Sequence, residues 1–158
     1  YHLLGNVLHT LLNDAALLEL VANDRSKLEP LLWESLRWES PVQFVSRQTD
    51  KETVLGGVTI PDDVPVLILL GSANRDEKVF PRPEVFDINR DREKSLAFGY
   101  GKHYCAGADF GLTEALIGLN ALLDRLHDLR FDPAADTVSK IRGVAFRGPS
   151  HLKVLFNT

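Results

Sequence analysis

The sequence has a single cysteine, no methionine and no long hydrophobic run. One cysteine cannot form a disulfide within the chain and cannot supply the several thiolates of a structural zinc site. The longest apolar run, residues 64–70, contains Pro65 and is much shorter than the roughly 20 residues of a membrane-crossing helix. We therefore predict no disulfide scaffold, no cysteine-based zinc module and no membrane partner.

Basic residues are neither abundant nor clustered. The 18 Lys and Arg residues are scattered among 22 Asp and Glu residues, and the formal net charge is −4. A nucleic-acid-binding surface needs a concentrated basic face, so no nucleic-acid partner is expected. A hydrophobic content of 44% suits one folded domain. A single cysteine suits a reducing compartment, which predicts a cytoplasmic protein.

Apolar periodicity predicts that the first quarter of the chain is helical. Leucine and valine recur at helical spacing through residues 3–12 and again through residues 17–21. Ser26 and Glu29 form a capping-box pattern, which predicts the start of a third helix. Pro41 is expected to end that helix, because a proline cannot donate the backbone hydrogen bond that a helix interior needs.

The sequence pattern in the middle of the chain is typical of strands and loops. Residues 42–70 are β-branched and alternating, and Gly56-Gly57 predicts a hairpin within a small antiparallel sheet. Residues 71–95 lack periodicity and contain prolines and many charges, which predicts a long loop. Leucines at helical spacing predict a long helix from Ala106 onward. Two further strands are expected, at residues 129–131 and 152–156.

The only cysteine lies in a glycine-rich loop directly before that long helical pattern. Gly99 and Gly101 permit backbone angles closed to other residues, which lets main-chain amides crowd around the Cys105 sulfur. Partial positive charge at a helix N-terminus also favours the thiolate form of a cysteine. Because one thiolate is sufficient as the protein ligand of a haem iron, haem binding is the economical hypothesis.

Other kinds of site fit these residues less well. A dinucleotide fingerprint beginning at Gly99 would need a glycine where Tyr104 stands. The histidines lack the spacing of a zinc site, and His2 and His9 are expected on a helix surface. A nucleophile pair of the cysteine with the histidine two residues earlier is less plausible, because neighbours on a tight loop rarely align for proton transfer.

The loop at residues 98–107 reads Phe-Gly-x-Gly-x-His-x-Cys-x-Gly, and two further motifs precede it. Glu34 and Arg37 form a Glu-x-x-Arg pair, and residues 74–90 run from Asn-Arg-Asp to Phe-Asp-Ile-Asn-Arg. In this order the motifs resemble the haem-binding loop, the Glu-x-x-Arg pair and the meander of the bacterial soluble cytochrome P-450 monooxygenases. The resemblance implies an α+β, mainly α fold, and a structural triad of Glu34, Arg37 and Arg90 that braces the loop.

The resemblance also implies the roles of the site residues. Cys105 would be the catalytic residue and the proximal ligand of the haem iron, and Arg47 and His103 would contact the haem propionates. The loop is expected to give further haem contacts through Phe98, Gly99, Gly101 and Gly107. An apolar substrate pocket is expected to be lined by Val42, Phe44, Val45, Ala145 and Phe146.

The resemblance covers essentially the whole chain but less than half of a complete family member. Residues 1–158 are therefore expected to form a single C-terminal haem-binding portion, with the N-terminal half absent. Residues 1–8 resemble the second half of the long oxygen-activating helix, so the acid and alcohol that deliver protons in the family would precede Tyr1. The missing methionine fits the loss of an upstream segment, or processing.

The activity implied by the resemblance is insertion of one oxygen atom from O2 into a small apolar organic substrate, with haem b as cofactor. Electrons would come from NAD(P)H through a ferredoxin or flavodoxin. One departure concerns that donor: Leu112 stands where the family usually has a basic residue, on the side where the donor docks. The alternative hypothesis is a truncated, non-catalytic haem-binding remnant, a sensor or an interaction module.

Overall fold

The computed structural model describes residues 1–135 and 140–158, and helices form its core. The helices in these residues are α1 (His2–Asn13), α2 (Ala15–Asn23), α3 (Leu28–Trp38), α4 (Leu70–Ala73) and α5 (Ala108–Arg125). All except α4 contribute to one buried apolar cluster, formed by Val7, Leu11, Val21, Leu28, Leu31, Leu32, Ala115, Leu119 and Leu123. The predicted helical periodicity and the mainly α fold are confirmed.

Aspartate side chains cap the N-termini of the two elements that follow α1 and α2. The Asp14 carboxylate accepts a hydrogen bond from the amide three residues later, at 3.0 Å, and caps α2. Asp24 accepts from the Ser26 amide at 3.0 Å and caps a 3-10 turn, Arg25–Lys27, that leads into α3. The predicted capping box of Ser26 and Glu29 is therefore wrong, because the Ser26 hydroxyl donates to Asp24.

The strands of the described residues form four separate two-stranded antiparallel sheets. These pair β1 (Val45–Gln48) with β4 (Pro65–Ile68), β2 (Thr53–Leu55) with β3 (Val58–Ile60), β5 (His127–Phe131) with β8 (Val154–Asn157), and β6 (Ile141–Arg142) with β7 (Gly148–Pro149). The turn between β2 and β3 uses Gly56 and Gly57 at φ values of 58° and 81°, which favour glycine. The predicted hairpin and late strands are confirmed.

The long loop after β4 is ordered by contacts with α3. It contains the short α4 and a 3-10 turn, Arg92–Lys94, and the rest is irregular, as predicted. Phe80 is buried, with the Arg37 guanidinium 5.4 Å from its ring centroid. The Trp38 indole donates to the Glu84 carbonyl at 2.8 Å. The loop therefore packs along one side of α3.

Helix α5 begins at Ala108, two residues later than predicted, with Gly107 as its N-cap. The preceding residues are used in closing the cysteine loop: the Cys105 amide donates to the Phe98 carbonyl at 2.9 Å. The Cys105 carbonyl then accepts from the Ala108 amide at 3.2 Å. The cysteine therefore lies in the turn before the helix rather than in its first turn.

We expect Leu119→Ala to lower the free energy of unfolding by about 2–5 kcal/mol, because it opens a cavity at a fully buried position of the core. Urea unfolding followed by far-UV circular dichroism measures the change. Ile117→Ala is the matched control, since Ile117 lies on the same helix and is 65% exposed. Equal effects of the two substitutions would contradict the assignment of the core face.

Candidate functional site

A cavity of about 680 Å³ lies between α1, the end of α3, β1, the cysteine loop and α5. Its volume falls within the range of roughly 300–1,000 Å³ that is usual for ligand sites. The wall is mainly apolar, through Leu3, Leu4, Leu36, Pro41, Val42, Val45, Leu70, Ala97, Phe98, Ala115 and Phe146. Polar groups on the wall include Cys105, His103 and Arg47. The arrangement suits a large apolar ligand that carries a few polar groups.

The cysteine loop is closed by its own main chain. The Gly99 amide donates to the Leu96 carbonyl at 2.9 Å, and Gly99 has a φ of 77°, in the region that favours glycine. The Tyr104 amide donates to the Gly101 carbonyl at 2.9 Å. Together with the bond between Cys105 and Phe98, these turns leave the cysteine exposed on the cavity wall.

Aromatic rings hold the loop against α3. The ring centroids of Trp33 and Phe98 lie 5.7 Å apart in an edge-to-face arrangement, and those of Phe98 and Tyr104 lie 6.3 Å apart. Such pairs contribute beyond the area they bury. Phe98 therefore connects the helix, the loop and the cavity.

The structure brings together most, but not all, of the predicted haem contacts. The cavity wall contains Arg47 together with Phe98, Gly99, His103 and Cys105 of the loop. Arg47 lies on β1, which is distant from the loop in sequence. Two of the predicted glycines are outside the described cavity wall: Gly101 and Gly107. They serve instead in the 3-10 turn of the loop and at the N-cap of α5.

The predicted substrate-lining residues divide in a similar way. Val42, Val45 and Phe146 are on the wall, and an isolated antiparallel bridge joins Val42 to Phe146. Phe44 and Ala145 do not line the described part of this cavity, and their contact with a substrate stays a prediction. The main chain extends the pairing of these two segments, because the Ala145 carbonyl accepts from the Gln43 amide at 2.9 Å.

His2 is a cavity residue that the sequence analysis placed on a helix surface. Its ring stacks on Phe146 with centroids 6.4 Å apart and an interplanar angle of 15°. Its Nδ1 is buried and has no hydrogen-bond partner among the residues that the structure describes. A Cβ on Gly148 would approach that nitrogen to 2.6 Å, so the glycine makes room for the ring. His2 lies one turn before Asn6, on the same face of α1, where Asn6 is buried and His2 is partly buried.

The segment that carries Phe146 is attached to the end of α3. The Arg147 Nε donates to Glu39 Oε1 at 2.6 Å, and this hydrogen bond raises the pKa of Arg147 above its usual value. The Asn6 amide group donates to the carbonyls of Glu39 and Arg147, at 3.0 and 3.2 Å. Phe146 is therefore positioned by contacts with both α1 and α3.

On the other side of α3, the predicted triad forms around one carboxylate. Arg37 donates to both oxygens of Glu34, at 2.8 Å from Nε and 2.7 Å from Nη2, and both side chains are only 2% exposed. Arg90 Nε lies 3.3 Å from Glu34 Oε1. The Asp87 amide also donates to that oxygen, at 2.8 Å. The carboxylate is thus fully surrounded by donors.

The remaining guanidinium donors of the triad bind main-chain carbonyls of the long loop. Arg37 Nη1 donates to Asn74 at 3.0 Å and to Pro83 at 2.9 Å. Arg90 Nη1 donates to Pro81 at 2.8 Å. The bend that brings Arg90 into place is closed by Asp87, whose pKa is lowered by the backbone hydrogen bond from Asn89. The triad therefore fastens the loop to α3.

The protein family to which the chain is similar agrees with the geometry of this site. The family model for Cytochrome P-450 matches residues 21–154. The chain belongs to the cytochrome P-450 family. Members of this family carry a haem whose iron is bound by a cysteine thiolate. A cavity that exposes the only cysteine of the chain is consistent with that membership.

Two curated relatives of the chain are bacterial proteins. The chain is 35% identical to pulcherriminic acid synthase of Bacillus subtilis, over 98% of this chain and 40% of the relative. It is 38% identical to 6-deoxyerythronolide B hydroxylase of Saccharopolyspora erythraea, over 96% of this chain and 38% of the relative. The chain therefore spans about 40% of the length of these relatives.

Solved cytochrome P-450 structures superimpose closely on the same portion. CYP109Q5 from Chondromyces apiculatus matches with a TM-score of 0.88 at 39% identity, covering 98% of this chain and 40% of that one. CYP109E1 from Bacillus megaterium, in complex with testosterone, matches with a TM-score of 0.91 at 32% identity. That match covers 99% of this chain and 43% of the other. The mainly α fold is thus a part of the family fold.

None of the helices in residues 1–135 and 140–158 is both long and apolar enough to cross a membrane. The same residues contain no cluster of three or more histidine, cysteine or carboxylate side chains able to hold a metal ion.

We expect Arg37→Ala to lower the free energy of unfolding by about 3–5 kcal/mol, because it leaves a buried carboxylate without its bidentate partner. Urea unfolding measures the change. Arg92→Ala is the control, because Arg92 pairs with Glu29 at an exposed site where a pair contributes about 0–1 kcal/mol. Similar losses for the two variants would show that burial of the triad does not matter.

Proposed function

We propose that this chain is the haem-binding part of a cytochrome P-450 monooxygenase, with Cys105 as the ligand of the haem iron. The observation that carries the proposal is the convergence of Cys105, His103 and Arg47 on one apolar cavity of about 680 Å³. We also propose that residues 1–158 act as a single haem-binding unit. The match of the family model to residues 21–154 supports both statements.

The chemistry of the cavity wall fits haem b. The cysteine offers a soft sulfur donor, which is a suitable iron ligand. Most of the wall is apolar and suits the face of a macrocycle. Arg47 and His103 offer two N–H donors for propionates, which need such partners when they are partly buried. No other cysteine competes for the iron.

Each residue then has a defined task. Cys105 holds the iron through its sulfur, and its loop keeps that sulfur on the wall. Arg47 and His103 orient the cofactor by binding its carboxylates. When bound, the haem would activate O2 with two supplied electrons and two protons, so that one oxygen atom enters the substrate and the other leaves as water.

The apolar part of the wall supports a small apolar organic substrate. Val42, Val45 and Phe146 would contact that substrate and exclude water from it. Contact of Phe44 and Ala145 with the substrate remains part of the proposal, although neither lines the described cavity wall. The CYP109E1 structure, solved in complex with testosterone, supports an apolar organic ligand for a chain of this fold.

Electrons would come from NAD(P)H through a ferredoxin or flavodoxin in the cytoplasm. Exposure of Cys105 and of its loop supports approach of a donor near the sulfur. Lys102 supplies a positive charge there, and Leu112 on α5 supplies none. A single cysteine supports a reducing compartment.

The test is addition of haemin to the purified 158-residue chain, followed by reduction and carbon monoxide. A thiolate opposite carbon monoxide produces a strongly red-shifted Soret band, and we expect that band from the unaltered chain. Cys105→Ala should abolish it, because no other thiolate is available. Tyr100→Ala is the matched control, since Tyr100 is 84% exposed on the same loop and should leave the band unchanged.

Two outcomes would contradict the proposal. A red-shifted band that survives Cys105→Ala would exclude Cys105 as the ligand. Absence of haem uptake, or a histidine-like band, would favour a non-catalytic interaction module over an oxygenase part.

A further inference from the structure

Asn74 is a fully buried side chain that joins three parts of the molecule. Its Oδ1 accepts from the Leu96 amide at 2.7 Å, and its Nδ2 donates to Ser40 Oγ at 2.9 Å. Its own carbonyl accepts from Arg37 Nη1 at 3.0 Å. A buried side-chain amide with both ends paired is costly to disturb, because each broken bond leaves a desolvated group.

From Leu96, a short series of main-chain hydrogen bonds leads to the cysteine. The Leu96 carbonyl accepts from the Gly99 amide at 2.9 Å, which closes the turn around Phe98. The Phe98 carbonyl then accepts from the Cys105 amide at 2.9 Å. The place of Leu96 therefore determines where the turn that holds Cys105 begins.

The triad does not reach this turn directly. Within the described residues, the hydrogen bonds of Glu34, Arg37 and Arg90 end on one another or on residues 74–87. Within that segment, the Asn74 side chain also accepts a hydrogen bond from the Leu96 amide, two residues before the cysteine loop at residues 98–107. Any bracing of the loop by the triad through these hydrogen bonds must pass through Asn74.

We propose that Asn74 is a positioning residue, which transmits the placement of the triad to Leu96 and so holds Cys105 toward the cavity. The functional part of this statement rests on the proposed function, because it concerns iron binding by Cys105. The geometric part does not, because it concerns the Leu96 amide. Aspartate at this position keeps the acceptor for Leu96 but loses the donor to Ser40.

The first experiment is amide hydrogen exchange by NMR on the 158-residue chain without haem. In Asn74→Ala, exchange of the Leu96 amide should accelerate about tenfold or more, as expected for loss of one buried hydrogen bond. Ser40→Ala is the matched control, because it removes the partner of Nδ2 and leaves Oδ1 on Leu96. Exchange at Leu119 reports whether each variant keeps its core.

Unchanged exchange at Leu96 in a folded Asn74→Ala chain would overturn the proposal. If that variant loses its core, the same measurement on Asn74→Asp tests the proposal. Exchange of the Leu96 amide as slow as in the unaltered chain supports it. Loss of that protection with an intact core at Leu119 overturns it.

The second experiment uses the carbonmonoxy spectrum after haemin addition. Asn74→Ala should lose much of the thiolate-type band, while Asn74→Asp and Ser40→Ala should keep it. A full thiolate band in Asn74→Ala would overturn the positioning of the sulfur. If the unaltered chain gives no thiolate band while Leu96 responds as expected, the haem assignment fails and the hydrogen-bond path stands.

Discussion

The buried carboxylate of Glu34 is the constraint on which the surroundings of the cysteine loop depend. A carboxylate that is 2% exposed is stable only when its charge and its lone pairs are matched. Arg37, Arg90 and the Asp87 amide provide that match, and the two arginines then need acceptors of their own. Those acceptors are carbonyls of the long loop, so one charge on α3 orders a segment that has little regular structure of its own.

Helix α3 also connects this polar side to the cavity. Its apolar side packs in the core, its C-terminal end leads to Val42 and β1, and Glu39 holds Arg147 beside Phe146. Trp33 on the same helix packs against Phe98 of the cysteine loop. A short helix thus sets the positions of the long loop, the cysteine turn and one cavity wall, which gives the site its shape without a large sheet.

Several details of the site were not predictable from spacing. Val42 and Phe146 share the cavity wall because a bridge joins two segments that are distant in sequence. His2 was expected on a helix surface. Spacing could not show its place on the cavity wall, because its stacking partner Phe146 lies near the other end of the chain. Asn74 and Leu96 are 22 residues apart, and no local motif predicts the hydrogen bond between them.

The sequence by itself determined the helices α1, α2, α3 and α5, the glycine hairpin, the cysteine loop and the family. These features depend on short-range regularities: the period of apolar residues, the φ angles that glycine allows, and motifs within a few residues. Only the tertiary structure decided which residues share the cavity, where α5 begins, and how the triad is linked to Cys105. The physical reason is that these outcomes depend on packing and hydrogen bonds between distant segments, which must satisfy buried groups together.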